Sequence, residues 1–231
     1  MNATDKDQWK KAAAEAAAQL VESDMVVGLG TGTTAAYLVS ILGERVRRGL
    51  NIVAIPTSEA TRIHALAEGI TIVGFAEQPR IDLTIDGADE IVAESLDLIK
   101  GGGGALLREK IVASASDRMV VISDASKLVT RLGTGSTLPV EIVPFGWEVT
   151  ISRLRDRSRE VRLRRADGGA PFVTDSGHYI VDCEMEPIVD PGALESDLQA
   201  MAGVVETGLF VGIAHEAFVA DAVGVRRLKL S

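Results

Sequence analysis

Asp86, Asp89, Lys100 and Glu109 follow one another closely, and four consecutive glycines, Gly101 to Gly104, stand between the lysine and the glutamate. Carboxylates can give and take protons, a lysine can steady negative charge on an oxygen, and glycine N–H groups can approach an oxyanion closely. Together these groups suit removal and return of a carbon-bound proton. Each also has an ordinary use. Asp86 and Asp89 flank Gly87-Ala88, where their carboxyls either share one cavity with pKa values driven apart, or bond to their own backbone in a turn. Glu109 has Ala105, Leu106, Val112 and Ala113 at helical spacing. It is either a desolvated base on an inward stripe or a carboxylate at the stripe's edge reaching water. Lys100 is either a charge stabiliser or a surface lysine. The glycine run favours the chemical reading, because ordering four glycines costs much backbone entropy.

The elements that must position these groups follow from hydrophobic period. Residues 81–85 alternate as a strand, and 105–116 read as a helix. The carboxylates therefore sit where a strand ends, the usual ligand side of an open α/β sheet. Upstream, 8–21 read as an alanine-rich helix, 25–30 as a strand and 35–47 as a second helix. Between strand and helix lies Thr31-Gly32-Thr33-Thr34, a turn suited to a phosphate or sugar, or simply a tight turn with a threonine cap. It fails the dinucleotide fingerprint, since Thr33 stands where the last glycine belongs and no acid ends the next strand. Further strands are expected at 51–56, 70–75 and 119–123, with a helix at 58–68. Strands alternating with helices, nearly all apolar, indicate a parallel sheet covered on both sides. Lys127, just beyond the 119–123 strand, could neutralise a phosphate at the same edge.

From about residue 138 the rhythm becomes β-α-β-β-α-β: strands at 138–143, 160–164, 178–184 and 204–211, with helices at 146–157 and 191–201. That is the ferredoxin-like order. Residues 215–230 are expected to return to the first sheet. The expected division is 1–132 with 206–231 as the catalytic domain, and 133–205 as a smaller α+β domain inserted before the C-terminal strands.

A net charge of −9 argues against a general nucleic-acid or anionic-membrane binder. The run Arg153, Arg155, Arg157, Arg159, Arg162, Arg164 and Arg165 carries no interleaved aromatics and reads as a solvated face or subunit contact. Cys183 is the only cysteine, which excludes an intrachain disulfide and is compatible with a reducing cytoplasm. No apolar run reaches membrane-spanning length. His64, His178 and His215 share no ligand spacing, so no metal is assigned.

Gly30-Thr31-Gly32-Thr33-Thr34, Asp86-Gly87-Ala88-Asp89-Glu90, Lys100-Gly101-Gly102-Gly103, Arg108-Glu109-Lys110, Asp124-Ala125-Ser126-Lys127 and Leu138-Pro139-Val140-Glu141 together resemble the A-type ribose-5-phosphate isomerases. The motifs run in order over most of the chain, and Gly203-Val204-Val205 and Gly208-Leu209-Phe210 also fit. The resemblance implies a Rossmann-like, doubly wound domain with a smaller ferredoxin-like insertion, in a homodimer or homotetramer located in the cytoplasm. It also implies interconversion of ribose 5-phosphate and ribulose 5-phosphate in the pentose phosphate pathway, with a small sugar phosphate as the only partner and no metal or nucleotide cofactor. Glu109 falls at the family's proton-transferring base, and Asp86, Asp89 and Lys100 where ring opening and the sugar-oxygen protons are handled. Thr31, Gly32, Thr33, Thr34, Gly87, Ala88, Gly101, Gly102, Gly103 and Lys127, with Asp86, Asp89 and Lys100, fall at substrate-binding positions. Thr33 replaces a common serine and keeps its hydroxyl. Gly104 replaces a common alanine and is expected to loosen the entry to the Glu109 helix slightly. Two other classes stand beside this reading: a non-catalytic sugar-phosphate sensor, which needs no Glu109, and a nicotinamide-dependent dehydrogenase, which the failed fingerprint disfavours.

Overall fold

The computed structural model describes residues 3–230. In chain order its elements are α1 (Ala3–Ala18), β1 (Val26–Leu29), α2 (Thr33–Arg47), β2 (Val53–Pro56), α3 (Glu59–Ala67), β3 (Thr71–Ile72), β4 (Leu83–Asp86), β5 (Glu90–Val92), β6 (Leu98–Ile99), α4 (Leu106–Ser114) and β7 (Met119–Asp124). After a short 3₁₀ turn (Ala125–Lys127) come β8 (Leu128–Val129), β9 (Leu138–Ile142), α5 (Trp147–Leu154), β10 (Glu160–Leu163) and β11 (Tyr179–Glu184). The remainder is α6 (Pro191–Gln199), β12 (Val204–Thr207), β13 (Leu209–Phe210), β14 (Glu216–Asp221) and β15 (Gly224–Lys229).

The chain divides into two units. The first comprises Met1–Ala88, Arg108–Lys127 and Gly212–Ser231. Its seven strands lie in the order β15-β14-β7-β4-β1-β2-β3. Every pair is parallel except β14 with β15. Strand alternation sorts the side chains by face. Val27, Leu29, Leu83, Ile85, Val120 and Ile122 pack with the small Ala13, Ala14 and Ala17 of α1 and with Leu38 and Leu42 of α2. On the other face, Val112 of α4 packs against Ile55 and Ile81. Burying each large aliphatic side chain is worth about 1.5–3 kcal/mol. Ser58 caps α3, its Oγ accepting the Thr61 N–H at 3.1 Å.

The second unit comprises Asp89–Leu107 and Leu128–Val211. Its antiparallel sheet β10-β11-β9-β12, with α5 and α6 as the two helices of the repeat, has the expected ferredoxin-like order. A further four-stranded sheet, β13-β6-β5-β8, belongs to the same unit. Leu138, Val140, Ile142, Ile151, Leu154, Val181 and Leu198 form its core.

The units differ from the expected domain bounds, whose residues 1, 2 and 231 lie outside those described. Residues 89–107, 128–132 and 206–211 join the second unit rather than the first, because β5 and β6 pair with β8 and β13 and not with the parallel sheet. The expected strand at 70–75 is the short edge strand β3. The expected strand at 204–211 breaks at Gly208 into β12 and β13, which belong to different sheets. Part of the arginine run is paired with acids. Arg157 meets Asp197 at 2.6 Å, Arg159 meets Glu186 at 3.3 Å and Arg162 meets Glu160 at 2.5 Å, while Arg165 donates to the Gly169 carbonyl.

Candidate active site

The sequence-predicted residues fall into two sets, one on each unit. On the first, β1 passes through Gly30-Thr31-Gly32 into α2. Gly32 is the N-cap, with φ 107° and no side-chain cap bond. An uncapped helix opening of this kind offers its first N–H groups to an anion. Here those groups are on Thr33, Thr34 and Ala35. Thr33 is exposed and Thr34 half-buried.

Thr31 is turned inward. Its Oγ1 lies 2.7 Å from Thr57 Oγ1, 2.8 Å from Ser58 Oγ and 3.2 Å from Thr61 Oγ1. Thr61 closes this hydroxyl group onto the Gly30 carbonyl at 2.9 Å, and Thr57 onto the Leu29 carbonyl at 3.1 Å. The Thr31 side chain thus fixes the turn, and its N–H donates to Asp86 Oδ1 at 3.1 Å.

Asp86 ends β4 and is wholly buried, 0% exposed. The Gly87 N–H also donates to its Oδ1, at 2.7 Å. Gly30 leaves room for this carboxylate, since a Cβ there would lie 2.0 Å from Asp86 Oδ1 and 2.6 Å from its Cα. The near-fingerprint glycine therefore serves the close approach of a neighbouring strand. Ala88 follows, half-buried.

Glu109 stands in the first turn of α4 and is 4% exposed, so its carboxylate is buried and not at an edge reaching water. The positive helix opening favours a carboxylate there. Arg108 beside it reaches Glu59 at 3.4 Å, and the Arg62 guanidinium holds the Glu59 carboxyl below the usual carboxylate range. Lys127 closes the 3₁₀ turn beyond β7, half-buried. Nearby, Asp124 accepts from the Ser126 N–H at 2.9 Å and from its hydroxyl, which braces that turn.

On the second unit, Asp89 is tied to β6 by its N–H to the Ile99 carbonyl, at 2.8 Å. Its Oδ2 accepts the Gly102 N–H at 2.8 Å. Lys100 is 2% exposed, with Nζ 5.5 Å from the centroid of the Phe210 ring. That cation–π contact helps hold a desolvated ammonium. The glycine run is a turn closed by the Gly104 N–H on the Gly101 carbonyl at 3.0 Å, with Gly102 and Gly103 exposed at its tip. Gly104 does not loosen the helix entry. Its φ is 82°, and a Cβ would lie 2.6 Å from the Phe172 ring, so the aromatic packs where a side chain would stand.

Two contributors have no assigned role in the sequence reading. Phe210 is one, and no local pattern pairs it with Lys100. Glu141 is the other: it is buried in β9, accepting from Thr174 Oγ1 at 2.9 Å and lying 3.0 Å from His178 Nδ1. Burial pushes its carboxyl up, opposed by His178, by Thr174 and by the Leu107 N–H at the start of α4. Among the described residues no group of three or more His, Cys, Asp or Glu is arranged to hold a metal ion.

Residues 53–224 match the family described as ribose 5-phosphate isomerase A (phosphoriboisomerase A). The chain is 56% identical to a ribose-5-phosphate isomerase A from Gloeobacter violaceus, covering 97% of each sequence. A solved ribose 5-phosphate isomerase A from Methanocaldococcus jannaschii superposes with a TM-score of 0.92 at 38% identity, over 96% of this chain and 99% of that one. A D-ribose-5-phosphate isomerase solved in complex with phospho-erythronic acid gives 0.94 at 37% identity, over 99% and 100%.

Proposed function

This chain belongs to the ribose 5-phosphate isomerase A family, and from that premise we infer that it interconverts D-ribose 5-phosphate and D-ribulose 5-phosphate, an aldose–ketose step of the pentose phosphate pathway. The observation that carries the chemistry is the burial of Asp86, Lys100 and Glu109. Ionisable groups are costly to bury without use. A non-catalytic sugar-phosphate sensor would have no need of a buried Glu109, and the matching relatives are isomerases over nearly their whole length.

The proposed reaction runs as follows. Asp86, oriented by the Thr31 and Gly87 N–H groups, assists proton transfer at the ring oxygen as the sugar opens. Glu109 takes the proton from C2, giving an enediol, and returns it to C1. The C2–H electron pair moves into the C1–C2 bond as O1 gains charge. Lys100 and the glycine N–H groups stabilise charge on O1 and O2 while Asp89 moves the hydroxyl proton. The opening of α2 and Lys127 take the phosphate. A related isomerase binds phospho-erythronic acid, whose carboxylate spreads charge over two oxygens as an enediolate does. This supports the same placement of charge.

Proton NMR of ribose 5-phosphate with the protein in heavy water tests the reading. Isomerisation with solvent deuterium entering the product is expected, and its absence would remove the assignment. No metal takes part in this scheme, so extensive dialysis against a chelator leaves the rate intact. A loss restored by one divalent ion would overturn that part. Lys127→Ala is expected to raise KM more than it lowers kcat, the pattern of lost uniform binding. A large fall in kcat at constant KM would give Lys127 a chemical role instead.

We further propose a homodimer or homotetramer in the cytoplasm. Val143, Val149 and Phe145, the last 93% exposed, support a subunit contact, and the lone Cys183 suits a reducing compartment. Among the described residues no helix is long and apolar enough to cross a membrane.

A further inference from the structure

One arginine of the basic run differs from its neighbours. Arg164 is turned inward, its side chain 17% exposed, and Asp182 grips it through two parallel bonds, from Nε at 2.9 Å and from Nη2. Its remaining terminal nitrogen, Nη1, donates to the carbonyls of Gly101 at 2.9 Å and Gly102 at 3.2 Å. The guanidinium carbon lies 6.0 Å from the centroid of Phe172, the ring that packs on Gly104. One side chain thus reaches two successive peptides of the glycine turn, and the aromatic beside it holds the turn's far end.

These carbonyls matter through the peptide plane, because C=O and N–H point in opposite directions across a trans peptide. Where Arg164 takes the Gly101 oxygen, the same peptide's N–H, on Gly102, meets Asp89 Oδ2 at 2.8 Å. A guanidinium and a carboxylate therefore polarise one peptide from its two ends. Where Arg164 takes the Gly102 oxygen, the Gly103 N–H is turned away from the arginine. With no side chains to restrain them, glycine peptides can flip, and flipping either one would withdraw a donor.

We propose that Arg164 is a positioning residue of the isomerase reaction. Locked by Asp182, it fixes the two peptide planes of the glycine turn, orienting Asp89 through the Gly102 N–H and aiming the Gly103 N–H at the substrate oxygens. The proposal rests on the reading above in which Asp89 and the glycine N–H groups act on those oxygens.

Arg164→Met keeps most of the stem but removes every donor. It is expected to lower kcat about 10–10²-fold with KM changed less than about threefold, the scale of a donor displaced by roughly an ångström. Arg164→Lys keeps the charge and cannot reach Asp182 and both carbonyls together, so it recovers only part of the rate. Guanidinium ion at millimolar concentration is expected to restore part of the rate of Arg164→Ala. Combining Arg164→Met with Asp89→Asn should cost less than the product of the two single losses, because one acts through the other. Multiplying losses, or a parental kcat in folded Arg164→Met, overturns the proposal. If Arg164→Met does not fold, Arg164→Lys carries the same test, and a parental kcat there overturns it equally. Asp89→Asn alone separates the two levels. A parental rate in that variant removes the underlying reading. An impaired Asp89→Asn beside a fully active Arg164→Met removes only the role of Arg164.

Discussion

Replacing Glu109 by glutamine is expected to lower kcat by at least about 10²-fold, and by as much as about 10⁴-fold, while ribose 5-phosphate still binds. Glutamine keeps the shape and the hydrogen-bonding capacity but cannot accept the C2 proton. The loss corresponds to roughly 3–5 kcal/mol of barrier. The side chain is buried in the first turn of α4, so solvent cannot readily supply a substitute base. Glu109→Asp should recover only part of the rate, because a missing methylene draws the carboxylate back by about an ångström. The measurements are kcat and C2 hydrogen–deuterium exchange for both variants, with folding followed by circular dichroism. A folded Glu109→Gln protein that exchanges and isomerises near the parent rate would take Glu109 out of the mechanism.

Gly30→Ala should damage both stability and turnover. The added methyl would stand 2.0 Å from Asp86 Oδ1 and 2.6 Å from Asp86 Cα. A carboxylate can rotate away, but the β4 backbone cannot. It pairs with β1 on one side and β7 on the other, and Gly30 itself donates to the Ile85 carbonyl at 3.0 Å. Overpacking of a well-packed interior typically costs about 1–3 kcal/mol, and here the strain falls on a site carboxylate. The unfolding free energy obtained from a urea titration is expected to drop by that amount, with kcat falling about tenfold or more as Asp86 loses its geometry. Parental values for both would mean that the turn and β4 can separate without consequence.

Much of this arrangement was legible in the residues. Apolar alternation located β4, short apolar runs located β1 and β7, and the β-α-β-β-α-β rhythm located the second unit's antiparallel sheet. β5, β6 and β8 were not legible, because two or three residues show no period and the pairings of β5 with β8 and of β6 with β13 join segments distant in sequence. The break at Gly208 is likewise tertiary, since a Cβ there would lie 2.3 Å from the Lys100 carbonyl oxygen. At the site, residue types were readable and directions were not. Nothing local says that the Thr31 hydroxyl turns toward Thr57, Ser58 and Thr61, or that Arg164 alone of its run turns inward.

The order of the seven-stranded sheet also bears on how the protein is made. β7 has all six residues buried and ends at Asp124, yet the strand that covers its open side, β14, begins only at Glu216. At about 5–20 residues per second, a nascent chain carries that uncovered edge for roughly 5–20 s. During this interval α1, which rests on both β7 and β14, has only part of its seat. An apolar edge left open this long is a template for pairing with another chain. Shortened chains that stop before β14 are therefore expected to aggregate rather than accumulate as partly active enzyme. Once β14 and β15 are in place the hazard closes, because the sheet's outer strands are then β15, which carries Arg226, Arg227 and Lys229, and the two-residue β3.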